Sequence, residues 1–162
     1  MPNPRLPGIL VLENIRSLHN VGAIFRTADA AHVQRLILAG TTPKPPRHEI
    51  DKTALGAVET VPWEWTSRLN RYLRERKQEG YHLYALEQTG TAVDIFSADL
   101  LFPFILIAGH EREGVSRETL AECPVHLELP MRGESAHSLN VSTAAAIALY
   151  EFGRRFWYHS PK

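Results

Sequence analysis

Five consecutive apolar residues, Phe104-Ile105-Leu106-Ile107-Ala108, stand between Pro103 and Gly109 and constrain this chain more than any other feature. A run that short, bounded by proline and glycine, reads as a buried strand. Similar runs recur. Ile9 to Leu12, Arg35 to Gly40, Tyr81 to Glu87 and Val125 to Leu129 all read as strands. Between them the period changes. Val21, Ile24, Phe25 and Ala28 recur at helical spacing, with Ser17 or Asn20 as the cap. Trp65 to Glu79 and Ser142 to Phe156 are further predicted helices, the last carrying three consecutive alanines. Thr41 to His48 holds three prolines and reads as a loop. Strand and helix in alternation predict an α/β domain on a mostly parallel sheet flanked by helices. No linker interrupts it, so residues 1–162 read as a single domain.

In such sheets ligands bind beyond the carboxyl ends of the strands. Three polar or glycine-rich segments follow predicted strands. The first, Glu13 to Asp29, gathers Asn14, Arg16, His19, Asn20 and Arg26 around a helix start, where free N–H groups and the helix dipole favour phosphate. An amphipathic helix with exposed arginines is the plain alternative. The second, Gly109-His110-Glu111-Arg112-Glu113-Gly114-Val115-Ser116, is a charged turn bracketed by glycines. It is neither a Walker loop nor a dinucleotide fingerprint, and His110 has no partner at zinc spacing. The third, Leu129 to Ser142, is long for a strand-to-helix connection and brings Ser138, Asn140 and Ser142 to a helix start. Those groups suit neutral hydrogen bonding to a nucleoside or amino acid, or simple N-capping. His137 and Ser138 are adjacent, but no G-x-S-x-G elbow accompanies them.

Together the three segments resemble the signature motifs of the SpoU/TrmH family, within the SPOUT superfamily of RNA ribose 2′-O-methyltransferases. The first is Asn20-Val21-Gly22-Ala23-Ile24-Phe25-Arg26, led by Asn14-Ile15-Arg16-Ser17. The second is Ile107 to Ser116. The third is Pro130-Met131-Arg132-Gly133 with Ser138-Leu139-Asn140-Val141-Ser142. The resemblance spans Ile9 to about Phe152. It implies an α/β fold with a deep C-terminal trefoil knot, a homodimer, S-adenosylmethionine as cofactor and RNA as substrate. By the same resemblance, Ala108, Gly109, Glu111, Gly114, Leu129, Met131, Ser138 and Leu139 contact the cofactor. Arg26, Asn20, Glu111, Ser138 and Asn140 form the catalytic set, and no metal is implied.

Charge alone does not point to RNA, because lysines and arginines balance aspartates and glutamates at zero net charge. Arg68, Arg71, Arg74, Arg76 and Lys77 form a candidate RNA face, although Glu75 and Glu79 between them favour a solvated helix. Arg154, Arg155 and Trp157 form a second candidate, for base stacking or for a dimer interface. The minimal length, without an added RNA-binding domain, favours tRNA over ribosomal RNA as substrate. Whether a partner protein presents the RNA is left open, and a knotted RNA-binding protein without turnover is the alternative of another class. The single cysteine, Cys123, cannot close an internal disulfide and reads as a core residue. With no signal peptide and no apolar run near the ~20 residues of a membrane span, a cytoplasmic protein is expected.

Overall fold

A computed structural model describes residues 3–159. Its strands are β1 (Leu6–Glu13), β2 (Val33–Ala39), β3 (Trp63–Thr66), β4 (His82–Leu86), β5 (Val93–Asp94), β6 (Phe104–Ala108) and β7 (Val125–Glu128). Its helices are α1 (Leu18–Ala30), α2 (His48–Ala54), α3 (Ala57–Thr60), α4 (Leu69–Gln78), α5 (Arg117–Glu122) and α6 (Val141–His159). The strands form one seven-stranded sheet in the order β3-β2-β1-β6-β4-β7-β5, and every pairing is parallel. The α/β architecture with a mostly parallel sheet is therefore as expected.

A parallel sheet covered on both faces needs strands that are apolar throughout. β1 and β6 satisfy this, and alternate residues separate into two cores. Leu10, Leu12, Leu36, Leu38, Phe104 and Leu106 face one side with Phe25 of α1 and Phe152 of α6. Ile9, Val11, Ile37, Ile105 and Ile107 face the other, with Leu73 of α4 and Cys123 after α5. Burial pushes the Cys123 thiol up to about 12, so it stays protonated and serves as a core residue.

Ser17 caps α1, its Oγ accepting the Asn20 N–H at 3.2 Å. The expected helix from Trp65 is corrected. Residues 63–66 form the edge strand β3, with Trp65 paired to Leu38, and the helix starts only at Leu69. Tryptophan and threonine favour a pleated edge over a helix interior, which explains the difference. On α4 most of the predicted basic face is spent on ion pairs. Arg71 meets Glu75 at 3.0 Å, Arg74 meets Glu122 at 2.8 Å, and Arg76 meets Glu79 at 3.2 Å.

Arg154 and Arg155 are likewise occupied. Both hold the buried carboxylate of Glu151, at 2.8 and 3.0 Å, and Arg155 also donates to the carbonyls of Ile95, Phe96 and Ala98. The Arg154 hydrogen bond leads in holding Glu151 below its ordinary value of 4.5; burial opposes it and Arg155 adds to it. A depressed carboxylate stabilises the fold above its unfolded value and loses that contribution as pH falls through its folded value. Glu151→Gln should therefore lower the melting temperature at pH 7. The gap to the wild type should close as pH falls below 4.5, which thermal melts across an acid series would read. A gap that did not depend on pH would assign the effect to packing alone.

Candidate active site

The sheet brings the carboxyl ends of β4, β6 and β7 together, and the segments that leave them enclose a cavity of about 360 Å³ against the start of α6. Ala108, Gly109, Glu111, Gly114, Leu129, Met131, Ser138 and Leu139 all line it. The wall is mixed: Leu86, Leu127 and Val141 add apolar surface, and Glu87, His110, Arg112, Glu128 and His137 add polar groups. Apolar surface beside convergent polar groups is what a small polar ligand requires.

Gly109 and Gly114 make the turn possible. A Cβ on Gly109 would drive into the backbone of Gly114 and Val115. Gly114 has φ +72°, which favours glycine. Between them, His110 and Gly114 exchange backbone hydrogen bonds at 3.1 and 2.9 Å.

The residues expected to form a catalytic set fall into two groups. Glu111, Asn20 and Asn140 form a hydrogen-bonded chain that ties the three segments together. The Glu111 carboxylate accepts the N–H groups of Arg16 at 3.1 Å and Ser17 at 3.0 Å, and the Asn20 amide at 3.2 Å. It therefore serves the free N–H groups ahead of α1 as an anionic cap. Burial pushes its carboxyl up, but those donated hydrogen bonds outweigh burial and hold it below its ordinary range. Asn20 Oδ1 in turn accepts from Asn140 Nδ2 at 3.3 Å. Asn140 caps α6 by accepting from the Ser142 N–H at 2.9 Å and the Ser142 hydroxyl at 2.6 Å.

Arg26 stands apart. It is exposed on α1 and is not among the residues that line the cavity. Six residues beyond Asn20, it lies ~9 Å further along the helix and about 120° around it. Ser138 lines the cavity, with no hydrogen bond to His137 among the described residues, so no Ser-His pair forms.

Two further carboxylates anchor the end of the second segment, Glu87 from the cavity wall and Glu13 from outside it, and no role for them was read from the sequence. Glu13, buried at the end of β1, accepts the Ser116 N–H at 2.6 Å, the Ser116 hydroxyl at 3.0 Å and the Thr119 hydroxyl. Glu87, just past β4, accepts the Val115 N–H at 2.8 Å. The available signal was position alone, an acidic residue at the carboxyl end of an apolar strand.

The profile of the SpoU rRNA Methylase family matches residues 7–150. The 23S rRNA (guanosine-2′-O-)-methyltransferase RlmB of Haemophilus influenzae is 35% identical over 156 residues, which cover 96% of this chain and 63% of that protein. The chain thus spans about three fifths of the length of the curated relatives it matches. The A. aeolicus TrmH/SpoU tRNA modifying enzyme superposes with a TM-score of 0.85 at 30% identity, over 94% of this chain and 77% of that one. The SpoU methyltransferase AviRb of Streptomyces viridochromogenes, in complex with the cofactor AdoMet, superposes with a TM-score of 0.80 at 27% identity, over 91% of this chain and 59% of that one.

Proposed function

The chain belongs to the SpoU rRNA methylase family, and we propose that it is an S-adenosylmethionine-dependent methyltransferase acting on a ribose 2′-hydroxyl of RNA. The observation that carries this reading is one cavity walled by the second and third segments, to which the first is tied through the hydrogen bonds of Asn20 with Glu111 and Asn140. The residues present fit the cofactor. Leu86, Leu129, Met131 and Leu139 offer apolar surface to an adenine ring, while the glycine loop allows close backbone approach to ribose and methionyl groups. When bound, S-adenosylmethionine supplies a methyl group on a sulfonium, already a strong electrophile.

The protein's task is then alignment of the ribose oxygen with that methyl group, which supplies much of the acceleration. Arg26 binds the adjacent RNA phosphate through its planar guanidinium, orients the hydroxyl and stabilises charge developing on its oxygen. It does not act as the base, because a guanidinium keeps its proton in proteins. Glu111, Asn20 and Asn140 are positioning residues that hold α1 against the cofactor loop. Ser138 offers a hydroxyl at the cavity wall.

A homodimer belongs to the same proposal. Arg26 lies outside its own chain's cavity wall, so a second copy is the means of bringing an Arg26 to the cavity mouth. The exposed apolar face of α6, with Ile147, Tyr150 and Trp157, supports such an interface. The deep trefoil knot in the C-terminal part and a cytoplasmic site of action are proposed on the family likeness. Among the described residues no helix is long and apolar enough to cross a membrane.

Ribosomal RNA is the substrate class that the curated relatives' names favour. The likeness to a tRNA modifying enzyme supports tRNA as the second reading. The test is tritiated methyl transfer from S-adenosylmethionine to ribosomal and to small RNA from a strain lacking the gene, followed by nucleoside mapping. A 2′-O-methyl nucleoside in one RNA class supports the proposal and names the substrate. Cofactor binding without incorporation into either class would turn the reading towards a non-catalytic knotted RNA-binding protein or one that needs a presenting partner.

Gly109→Ala tests the cavity assignment. Its Cβ meets backbone rather than a yielding side chain, so the loop must shift. Cofactor affinity is expected to fall at least ~10-fold, the effect of losing about 1.4 kcal/mol of binding. Unchanged affinity by calorimetry would remove the loop from the binding site.

A further inference from the structure

The cavity wall carries an excess of negative charge that alignment of the methyl group does not require. Glu87, Glu111 and Glu128 line it against one guanidinium, that of Arg112, with His110 and His137 beside them. Glu111 is committed to the start of α1 through three donated hydrogen bonds. Glu87 is different. Its Oε2 accepts the Val115 N–H at 2.8 Å and its Oε1 accepts the Gln88 N–H at 3.2 Å. None of the ion pairs among the described residues includes it. The loop is shaped around this carboxylate, since a Cβ on Gly114 would collide with it. An anion is thus fixed in the wall by backbone dipoles, without a cation to neutralise it. In a partly desolvated cavity such a charge acts strongly on whatever enters.

From this geometry, and resting on the cofactor reading above, we infer that Glu87 is a specificity-determining residue that favours the cationic cofactor over its neutral product. S-adenosylmethionine carries a sulfonium, an ammonium and a carboxylate, hence one net positive charge. In the transfer the ribose oxygen bonds to the methyl carbon and the hydroxyl proton passes to solvent. The carbon–sulfur bond breaks with its electron pair kept by sulfur, so S-adenosylhomocysteine is left with no net charge. Both ligands have the same adenosine and the same amino-acid end, so shape separates them poorly. The charge at Glu87 separates them directly, because it attracts the sulfonium and that attraction is lost once the methyl group has been transferred.

The test is calorimetric binding of three ligands to the wild type, Glu87→Gln and Glu87→Ala. The ligands are S-adenosylmethionine, S-adenosylhomocysteine, and sinefungin, which has a cationic amine at the sulfonium position. The wild type is expected to bind both cationic ligands more tightly than S-adenosylhomocysteine. Glu87→Gln keeps an oxygen acceptor for Val115 and removes the charge, so the two cationic ligands should weaken roughly 10-fold, about 1.4 kcal/mol, with S-adenosylhomocysteine unchanged. Glu87→Ala also loses the Val115 hydrogen bond and should weaken all three. Equal weakening of all three by Glu87→Gln, or of none, overturns the inference. So does a wild type without preference for the cationic ligands, whatever the variants do. A wild type that binds none of the three overturns the cofactor reading itself.

Discussion

Arg26→Ala should lower kcat for RNA methylation by ~10³-fold, the scale of removing a group that stabilises developing charge, while leaving S-adenosylmethionine affinity unchanged. The separation follows from placement. Arg26 is exposed on α1 and does not line its own chain's cavity, whereas Gly109, Met131 and Leu139 do. A residue that serves the RNA and the transition state alone should move kcat without moving cofactor binding. Arg26→Lys sharpens the point. Lysine keeps the charge but not the planar fork that grips phosphate with two parallel hydrogen bonds, so its turnover should stay far below that of the wild type. Single-turnover kinetics with saturating cofactor would read both variants. Near-normal turnover in Arg26→Lys would falsify the special role of the guanidinium, and a matching loss of cofactor affinity would place Arg26 in the cavity instead.

Phe152→Ala should be the most destabilising truncation in the core. Phe152 is fully buried on α6 and stacks on Phe104 of β6, ring centroids 3.9 Å apart and planes 17° from parallel. Tyr84 and Phe102 meet its edges at 5.2 and 6.1 Å. Removing the ring takes away buried apolar area and these aromatic contacts, and leaves a cavity that the stiff parallel sheet cannot close. The expected loss is about 3–5 kcal/mol, a fall in melting temperature on the order of 10 °C. Denaturant titration would measure it. A loss below about 1 kcal/mol would mean that α6 repacks onto the sheet. Because α6 begins at the cavity wall, such a variant should also weaken cofactor binding more than an exposed substitution outside that wall, such as Glu49→Ala.

The interior of this fold was legible because its strands are buried on both faces. β1 and β6 appear in the sequence as unbroken apolar runs, and α1 and α6 as helical ones. Short and half-exposed elements were not legible. β3 alternates Trp63 and Trp65 with Glu64 on an exposed edge, a pattern that merges with the basic helix after it. α2 and α3 are only 7 and 4 residues long, with one or two buried residues each. Within the site, the eight expected cavity residues could be read from the motif segments, since each segment is short and continuous, while Leu86 and Leu127 of the same wall belong to none. The carboxylates Glu13 and Glu87 could not. Their partners, Ser116 and Val115, are local to neither, and only the closed sheet brings them within reach. The absence of Arg26 from its own cavity wall was hidden for the same reason, because adjacency of motifs in a family says nothing of which surface each one faces.

The pairing of β1 on both sides has a consequence in time. Leu10 meets Leu36 on one flank and Leu106 on the other, and the second partner is made only after the chain is well past its midpoint. During synthesis the first flank can zip as soon as β2 leaves the ribosome, while the second keeps a row of bare amides and carbonyls around Val11 and Leu12. At ~5–20 residues per second, that interval is roughly 3–14 s. Closure of the second flank has to bridge the longer separation from β1 to β6, which makes it slower than closure of the first. An apolar strand with an open flank is a template for pairing with another chain, so the newborn protein passes through a window of vulnerability that the finished one no longer has.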